Sequence, residues 1–353
     1  MDTFDPTQVD LTSADPNQVI CYLTLGGNGY TGSIGVRISA VFVILITSTF
    51  CTFFPVVAKT YPQLKIPEIA YLFARYFGTG VILATAFIHL ADPAYASIGP
   101  GTCVGTLGDW SSYSWCTCII FVSSVFVFLM DFAAEIYVEW KYGVNRTDRE
   151  DVFVAREQVT GSEEANLAAR SKEAKNDWHS EVDSMESAER GFRTQIAAFL
   201  ILEFGVLFHS VMIGLTLAAA GSEFSTLYPV IVFHQAFEGL GIGARMSAIP
   251  FGPKRKWLQW VLCLAYGLTT PIAIGIGLGV RTTYSATSLT ANIVSGVLNA
   301  ISAGILLYTA FVELLARDFL FDPKRTKNPV RIIFMIGVTL LGAGIMALLG
   351  KWA

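Results

Sequence analysis

Three of the four histidines in this sequence, His89, His209 and His234, lie inside long apolar stretches. The fourth, His179, lies in a charged stretch. An ionisable side chain at membrane depth is costly and by default marks a functional site or an ion pathway. The alternative is a neutral structural histidine bonded to a backbone carbonyl. Three such histidines with carboxylates close by in sequence favour the functional interpretation.

His234 and Glu238 form the clearest metal-ligating pattern, because a spacing of four residues places both side chains on one helix face. A neutral imidazole and a carboxylate are ordinary ligands for zinc or ferrous iron. Gln235 lies one residue further round the helix and can add an amide oxygen. Glycines at 239, 241 and 243 leave this face narrow enough for another helix to approach. The alternative is a buried His–Glu hydrogen bond without a metal.

His209 is expected to reach the same depth as His234. A short link centred near 221–222 follows His209 by about 13 residues and precedes His234 by about 12. At 1.5 Å per residue, both histidines of an antiparallel hairpin would lie roughly 18–20 Å from its turn. Together with Glu238 they would form a metal site near the bilayer midplane, where transporters bind substrate. Glu203, about a turn and a half beyond His209, would pass the ion inward or serve as a helix-end acid.

Further polar residues lie near the ends of the apolar stretches. His89 and Asp92 are three residues apart and are expected to share a face at the outer mouth, collecting the cation or forming an interfacial pair. Four acids lie near the predicted inner ends: Asp131, Glu135, Glu313 and Asp318. Some of these could line an exit, and most are expected to pair with lysines and arginines of the loops.

The elements that must position these residues are transmembrane helices. The chain is 53% hydrophobic and 15% charged, whereas soluble domains carry about 25% charged residues. Apolar runs of roughly 20 residues span a hydrocarbon core. Such runs lie at about 36–57, 70–91, 117–138, 195–219, 226–247, 257–280, 290–315 and 331–350. The sequence therefore predicts an all-α integral membrane protein with eight transmembrane helices.

The orientation follows from the lysines and arginines of the loops, which concentrate on the cytosolic side. They alternate cleanly from loop to loop, and the richest loop follows the third span. Both termini are therefore predicted to be extracellular. The predicted regions are an extracellular segment 1–35, helices one to three in 36–140, a cytosolic loop 141–193, and helices four to eight in 194–353. That loop has nine basic and twelve acidic residues and is expected to be largely disordered.

The six cysteines contain no CxxC pair, so a zinc ribbon or a thioredoxin-like site has no support. Four lie on the predicted outer side, where a disulfide can form: Cys21, Cys103, Cys116 and Cys118. Their connectivity is not deducible from the sequence. No signal peptide is expected in the first 35 residues. The net charge of −4 and the scattered basic residues predict no nucleic-acid partner.

In its motifs the chain resembles the ZIP (Zrt-, Irt-like) metal transporters, most of all the fungal plasma-membrane zinc members. The most specific stretches begin His209-Ser210 and His234-Gln235, and 37–45, 80–89 and 304–313 support them. The resemblance covers nearly the whole chain outside the central loop. It implies influx of zinc as the transported substrate, with no cofactor, through a site of His209, His234 and Glu238 with Ser210 and Gln235 nearby.

The resemblance also implies that spans 1, 4, 5 and 6 move as a unit against spans 2, 3, 7 and 8, and that a homodimer can form. Two features depart from the family. The central loop has only His179, so a histidine-rich metal reservoir is not expected. Some members, bacterial ones especially, carry a second carboxylate one turn after the span-four histidine; here Ile213 takes that position, which favours one metal ion.

Alternatives remain open on the ion and on the activity. Fe²⁺, Mn²⁺ and Cd²⁺ suit the same ligands as Zn²⁺. An intramembrane zinc hydrolase would need an open ligand position and a general base. No HExxH motif is present and Glu238 is needed as a ligand, so the chain is not expected to be an enzyme. A proton-driven carrier of an organic solute could use the same histidines and carboxylates as a relay.

Overall fold

The computed structural model describes residues 15–25, 32–142, 177–221, 223–281, 288–321 and 326–352. Throughout these residues the regular structure is helical, which confirms the predicted all-α class. The α-helices are α1 (Pro16–Thr24), α2 (Ile34–Thr60), α3 (Glu68–Ala84), α4 (Asp92–Ile98), α5 (Trp115–Tyr142), α6 (Asp177–Ala219), α7 (Phe224–Ala248), α8 (Lys256–Val280), α9 (Leu289–Tyr308) and α10 (Pro329–Leu349). Two π-helical stretches complete the long helices: π segment A (Thr85–Ala91) joins α3 to α4, and π segment B (Thr309–Phe321) continues α9.

Seven helical stretches of the described chain are long and apolar enough to cross a membrane. They are Ile34–Thr60, Glu68–Ile98, Trp115–Ala134, Gln195–Ala219, Pro253–Val280, Leu289–Phe321 and Pro329–Leu349. The remaining long helix, α7, has 25 residues and is therefore long enough. It is less apolar because His234, Gln235 and Glu238 lie in its middle. The polar candidate site residues thus lower the hydropathy of α7.

The predicted loop 141–193 is described only at its ends. Residues 143–176 lie outside the described part of the chain, and so does most of the predicted disorder. α6 begins at Asp177, so residues 177–193 extend the helix rather than belonging to a loop. This stretch contains three glutamates and two arginines, which are good helix formers and can prolong a helix nucleated by the apolar span. The chain packs as two compact units, one formed by Phe128–Ala198 and a larger one formed by Met1–Val127 with Phe199–Ala353. The larger unit holds every candidate site residue.

Within the larger unit, the apolar core joins the helices in two sets. One cluster of buried residues comes from α2, α6, α7 and α8 and their links: Ala40, Ile44, Leu217, Ala218, Ala220, Phe224, Leu227, Ile231, Ile274 and Leu278. A second cluster joins α3 to α10 through Phe77, Met335 and their neighbours. A third joins α4 to α9 and the start of α5. The two sets are thus α2, α6, α7 and α8 on the one hand and α3, α4, α5, α9 and α10 on the other, although Phe237 and Leu240 of α7 also pack against the second cluster.

Glycines bring α7 unusually close to its neighbours. A Cβ on Gly78 of α3 would lie 2.2 Å from Cα of Gly241, and a Cβ on Gly243 would lie 2.1 Å from the carbonyl oxygen of Thr52 on α2. No side chain larger than hydrogen fits at these positions without moving a backbone. The close helix approach expected from the glycines of α7 is therefore confirmed, but on two sides of the helix: Gly239 and Gly243, one turn apart, face α2, and Gly241 faces α3.

A buried arginine ties α2 to the end of α6. Arg37 is 1% exposed. Its guanidinium donates to the carbonyl oxygens of Leu217, Ala218 and Ala220 at 3.2, 2.9 and 2.6 Å. These carbonyls belong to the last turn of α6 and the residue after it, where no helical N–H is available to them. The cation also lies over the ring of Phe224 at 4.4 Å.

A disulfide joins Cys21 of α1 to Cys103, which precedes α5. The sequence had left open which of four outer cysteines would pair. Cys116 and Cys118 are unpaired in the structure. Cys263 is fully buried, and Cys51 is partly buried.

Candidate metal centre

The metal-ligating groups of α6 and α7 meet at one buried point. Nε2 of His209 lies 3.3 Å from Nε2 of His234, which in turn lies 3.3 Å from Oε1 of Glu238. One ligand atom from each of the three residues falls within 4.8 Å of the others, and no comparable group occurs elsewhere in the described part of the chain. All three side chains are at most 2% exposed.

Local structure accounts for this convergence. α6 ends at Ala219 and α7 begins at Phe224, so the two helices form a tight antiparallel hairpin. The histidines lie nearly equal numbers of residues from this turn and therefore at the same height, as the sequence predicts. His234 and Glu238 then share a face because one helical turn separates them.

The polar atoms of the centre are short of hydrogen-bond partners. Neither carboxylate oxygen of Glu238 accepts a hydrogen bond within the described residues, apart from the close approach of His234. The hydroxyl of Ser210 and the amide nitrogen of Gln235 are likewise unpartnered there. Leaving such groups buried and unsatisfied is costly. A bound cation would satisfy the carboxylate and the imidazole lone pairs together, so the donor set fits a divalent transition metal.

Gln235 is fully buried and has a partner that the sequence did not indicate. The hydroxyl of Tyr266 on α8 donates to Oε1 of Gln235 at 3.1 Å. The amide oxygen expected to face the metal is thus already engaged, although a carbonyl oxygen has a second lone pair. Tyr266 is 2% exposed. It therefore fixes the orientation of the Gln235 amide beside the centre.

His89 lies against the centre rather than at an outer mouth. Its ring is nearly perpendicular to that of His234, with the centroids 4.7 Å apart, and its Nε2 lies 3.2 Å from the carbonyl oxygen of Met346. Asp92 is exposed, so the expectation that His89 and Asp92 share a face is wrong. The cause is π segment A, which changes the helical phase at His89. The one sequence signal was Pro93, which has no N–H to donate to the carbonyl of His89.

Glu203 is buried but lies outside the group of three ligating residues. It is 8% exposed, and its Oε2 has no hydrogen-bond partner among the described residues. It precedes His209 by six residues on α6, a rise of about 9 Å. A second buried carboxylate therefore lies on α6, about 9 Å along the helix axis from His209.

Asp318 and Glu313, which were expected to pair with lysines and arginines of loops, pair with arginines within helices instead. Asp318 pairs with Arg75 of α3 and Arg245 of α7, both within long helices rather than loops. Glu313 pairs with Arg317 of its own π segment. These partners come from neighbouring helices or turns because the acids face the helix bundle, which the sequence did not reveal. Asp131 and Glu135 belong to the smaller unit.

Comparison of the sequence with known proteins finds zinc transporters. The sequence profile of the family described as ZIP Zinc transporter matches residues 34–350. Zinc-regulated transporter 1 of Saccharomyces cerevisiae is 53% identical over 365 residues, covering 99% of this chain and 97% of the relative.

More distant relatives share the same description. Zinc-regulated transporter 1 of Schizosaccharomyces pombe is 41% identical over 91% of this chain and 86% of its own length. Zinc transporter 3 of Arabidopsis thaliana is 32% identical over 90% of this chain and 84% of its own length. The family profile covers all the long helices and the buried ligating group, and these relatives span nearly the full chain, so this protein belongs to the ZIP zinc transporter family.

Proposed function

We propose that this protein carries zinc from outside the cell into the cytosol, with His209, His234 and Glu238 as its metal ligands. The observation that carries this proposal is the buried group itself: one ligand atom from each of two imidazoles and a carboxylate lies within 4.8 Å of the others, and apart from the approach of His234 neither carboxylate oxygen has a well-formed hydrogen bond from any described residue. Zinc binds such nitrogen and oxygen ligands, usually four at a time. The names of the yeast relatives, zinc-regulated transporters, support zinc as the ion. Fe²⁺, Mn²⁺ and Cd²⁺ are the competitors.

Ser210 and Gln235 complete the proposed site. Each is at most 1% exposed and lies next in sequence to a ligating histidine. Ile213, one turn after His209, packs against the apolar cluster of α2, α6, α7 and α8. An aliphatic side chain there offers no ligand atom, which supports a single ion in the core site.

The proposed path runs along the helices on either side of this site. His89 contacts the ring of His234 and belongs to the other set of helices, so it is suited to hand the ion to the site. Asp92 lies nearer the outer end of the same helical stretch and is exposed, where it would attract a cation. Glu203 lies on the inner side under the proposed orientation and would receive the ion on its way to the cytosol.

The proposed membrane arrangement has eight spans, with α7 as the fifth. The seven apolar stretches support the other spans, and the length of α7 supports its crossing despite its polar centre. Under the positive-inside rule both termini are extracellular and the loop of 141–193 is cytosolic. We place the protein in the plasma membrane. Tags at each terminus and within 150–170, stained with and without permeabilisation, test this orientation, and cell-surface crosslinking tests the homodimer.

The function is tested by ⁶⁵Zn uptake in cells that lack their own zinc uptake, at matched surface expression. Glu238→Gln keeps the shape of the side chain but removes its charge, and we expect it to abolish saturable uptake. Glu68→Gln makes the same chemical change at a side chain that is 71% exposed, and it serves as the matched control. Normal uptake by Glu238→Gln would overturn the proposed site. Stronger uptake of iron or manganese than of zinc would reassign the ion.

A further inference from the structure

Beyond the metal centre, the described residues contain an ion-pair cluster centred on Asp318, which is 4% exposed; the Arg245 side chain is 15% exposed and the Arg75 side chain 35%. Arg75 donates to both of its oxygens, from Nη2 to Oδ1 at 2.6 Å and from Nε to Oδ2 at 3.2 Å. Arg245 donates from Nη2 to Oδ2 at 3.4 Å and to the hydroxyl of Thr79 at 2.9 Å. One carboxylate is thus shared by two guanidinium groups.

These residues come from both sets of helices. Arg245 lies on α7, seven residues beyond Glu238 and so about 10 Å further along the same helix. Arg75 and Thr79 lie on α3, and Asp318 lies on π segment B. The cluster therefore links the helix that carries two metal ligands to spans two and seven. Gly78, one residue before Thr79, makes the close backbone contact with Gly241 of α7.

Stability alone is a weak reason for such a cluster. A buried ion pair typically contributes little more than well-packed apolar side chains would, because desolvation offsets the Coulomb attraction. Breaking the pair, in contrast, leaves an uncompensated buried charge. A contact of this kind favours two discrete arrangements, one paired and one separated with the charges hydrated. Two other ion pairs of the described residues do not link the two sets of helices: Glu313 and Arg317 share one helix, and Glu68 and Arg331 join two helices of the same set.

We propose that Asp318 is a positioning residue for zinc transport, acting through Arg245 as a latch on the inner side of the metal centre. With the latch paired, α7 is held against α3 and π segment B, and the centre is closed towards the cytosol. Separation of Arg245 from Asp318 accompanies release of the ion inward. This inference rests on the proposed function and orientation, and adds a residue that contacts no metal.

The test measures cytosolic access and transport separately. Thr79, fully buried in the structure, is replaced by cysteine in a background whose four unpaired cysteines are removed. The replacement removes a hydroxyl that accepts from Arg245 but keeps the pair of Arg245 with Asp318, so the parent and every variant carry the same replacement. Inside-out vesicles are treated with a membrane-impermeant maleimide, and the labelling rate is compared among variants. We expect Asp318→Asn to accelerate labelling by at least about fivefold, at the low end of typical coupling strengths. Asp318→Glu, which keeps the charge, should restore a rate close to that of the parent.

The matched control is Arg331→Gln, which removes an interhelical ion pair that does not join the two sets and should leave the labelling rate unchanged. Uptake kinetics without the cysteine replacements form the second measurement: Asp318→Asn should raise the KM for zinc, because fewer molecules present an outward-facing site. If Asp318→Asn fails to reach the membrane, Arg245→Gln is used, since it leaves Asp318 paired with Arg75.

Equal labelling rates in the parent and in these variants would overturn the latch, and so would equal acceleration by Arg331→Gln. The labelling experiment does not depend on transport. Absence of zinc uptake by the unmodified protein would therefore refute the proposed function, whereas the labelling rates would still decide whether the cluster closes this face.

Discussion

Gly78→Ala is expected to slow zinc transport while leaving zinc binding nearly intact. Gly78 faces Gly241 where α3 crosses α7, and an added Cβ would lie 2.2 Å from Cα of Gly241. Ordinary van der Waals contact begins near 3.4 Å. The opposing atom belongs to a backbone and has no rotamer to change, so the two helices must separate by about 1.2 Å.

This separation should affect His89 more than the three candidate ligands on α6 and α7. His209, His234 and Glu238 all lie on α6 and α7, so their mutual distances need not change when α3 moves. His89 lies on the helical stretch that α3 begins, and its contact with the ring of His234 would widen from 4.7 Å. Metal sites are sensitive to displacements of about 0.2 Å. The rate at which the ion moves to or from the site should therefore fall more than the affinity of the site for zinc.

The stability change is the balance of two terms. Overpacking typically costs about 1–3 kcal/mol, and replacing a helical glycine by alanine returns about 1 kcal/mol. We therefore expect a net loss of about 0–2 kcal/mol for Gly78→Ala. The matched control is Gly337→Ala on α10, where the added Cβ meets nothing within 4 Å. This control should be neutral or stabilising by up to about 1 kcal/mol.

Three measurements on the purified and the cell-surface protein decide the outcome: thermal unfolding in detergent, zinc affinity by competition with a chelator, and the initial rate of ⁶⁵Zn uptake. The expected pattern for Gly78→Ala is a reduced uptake rate at near-normal zinc affinity, with Gly337→Ala unchanged in both. Uptake at the normal rate would refute the proposed dependence of transport on this helix crossing. A loss of affinity as large as the loss of rate would show that α3 shapes the ligand set itself.

Three further changes test other contacts of the structure. Tyr266→Phe removes the donor to Gln235 and should weaken zinc binding about 10- to 100-fold, as losses around ligating residues commonly do; chelator competition measures it. Arg37→Lys replaces a guanidinium that donates to four carbonyl oxygens by a single ammonium, which should lower stability by about 2–4 kcal/mol with little change in the KM for zinc in the folded fraction. Cys21→Ser removes the link to Cys103 across a separation of 82 residues. By the chain-entropy estimate it should destabilise the protein by up to about 4.5 kcal/mol, seen as a lower melting temperature, with a mobility change on non-reducing gels after proteolysis between the two positions.

Much of the ligating group could be predicted because it depends on helical geometry alone. The four-residue spacing of His234 and Glu238 places them on one face of any α-helix. The near-equal distances of His209 and His234 from a short link place them at one height in any antiparallel hairpin. The glycines of α7 likewise indicated a close helix crossing, and the all-α class followed from the lengths of the apolar runs.

Other contacts depend on which helices become neighbours, and local patterns do not contain that information. His89 reaches His234 because a π-helical turn changes the phase of the helix and because α3 packs against α7. Asp318 meets Arg75 and Arg245 only after three helices far apart in sequence have packed together. In each case the sequence showed a polar residue near a helix end and assigned it to the interface or a loop partner.

The sequence by itself thus determined the helices, the face of α7 that carries His234 and Glu238, and the height at which His209 of α6 meets them. These properties follow from the period and rise of a helix, which act over a few residues. Tertiary structure alone decided that His89 joins the centre, that Tyr266 orients Gln235, and that Cys21 pairs with Cys103. Those outcomes depend on close packing between distant segments, where the absence of one Cβ or one extra residue in a turn decides which side chains meet.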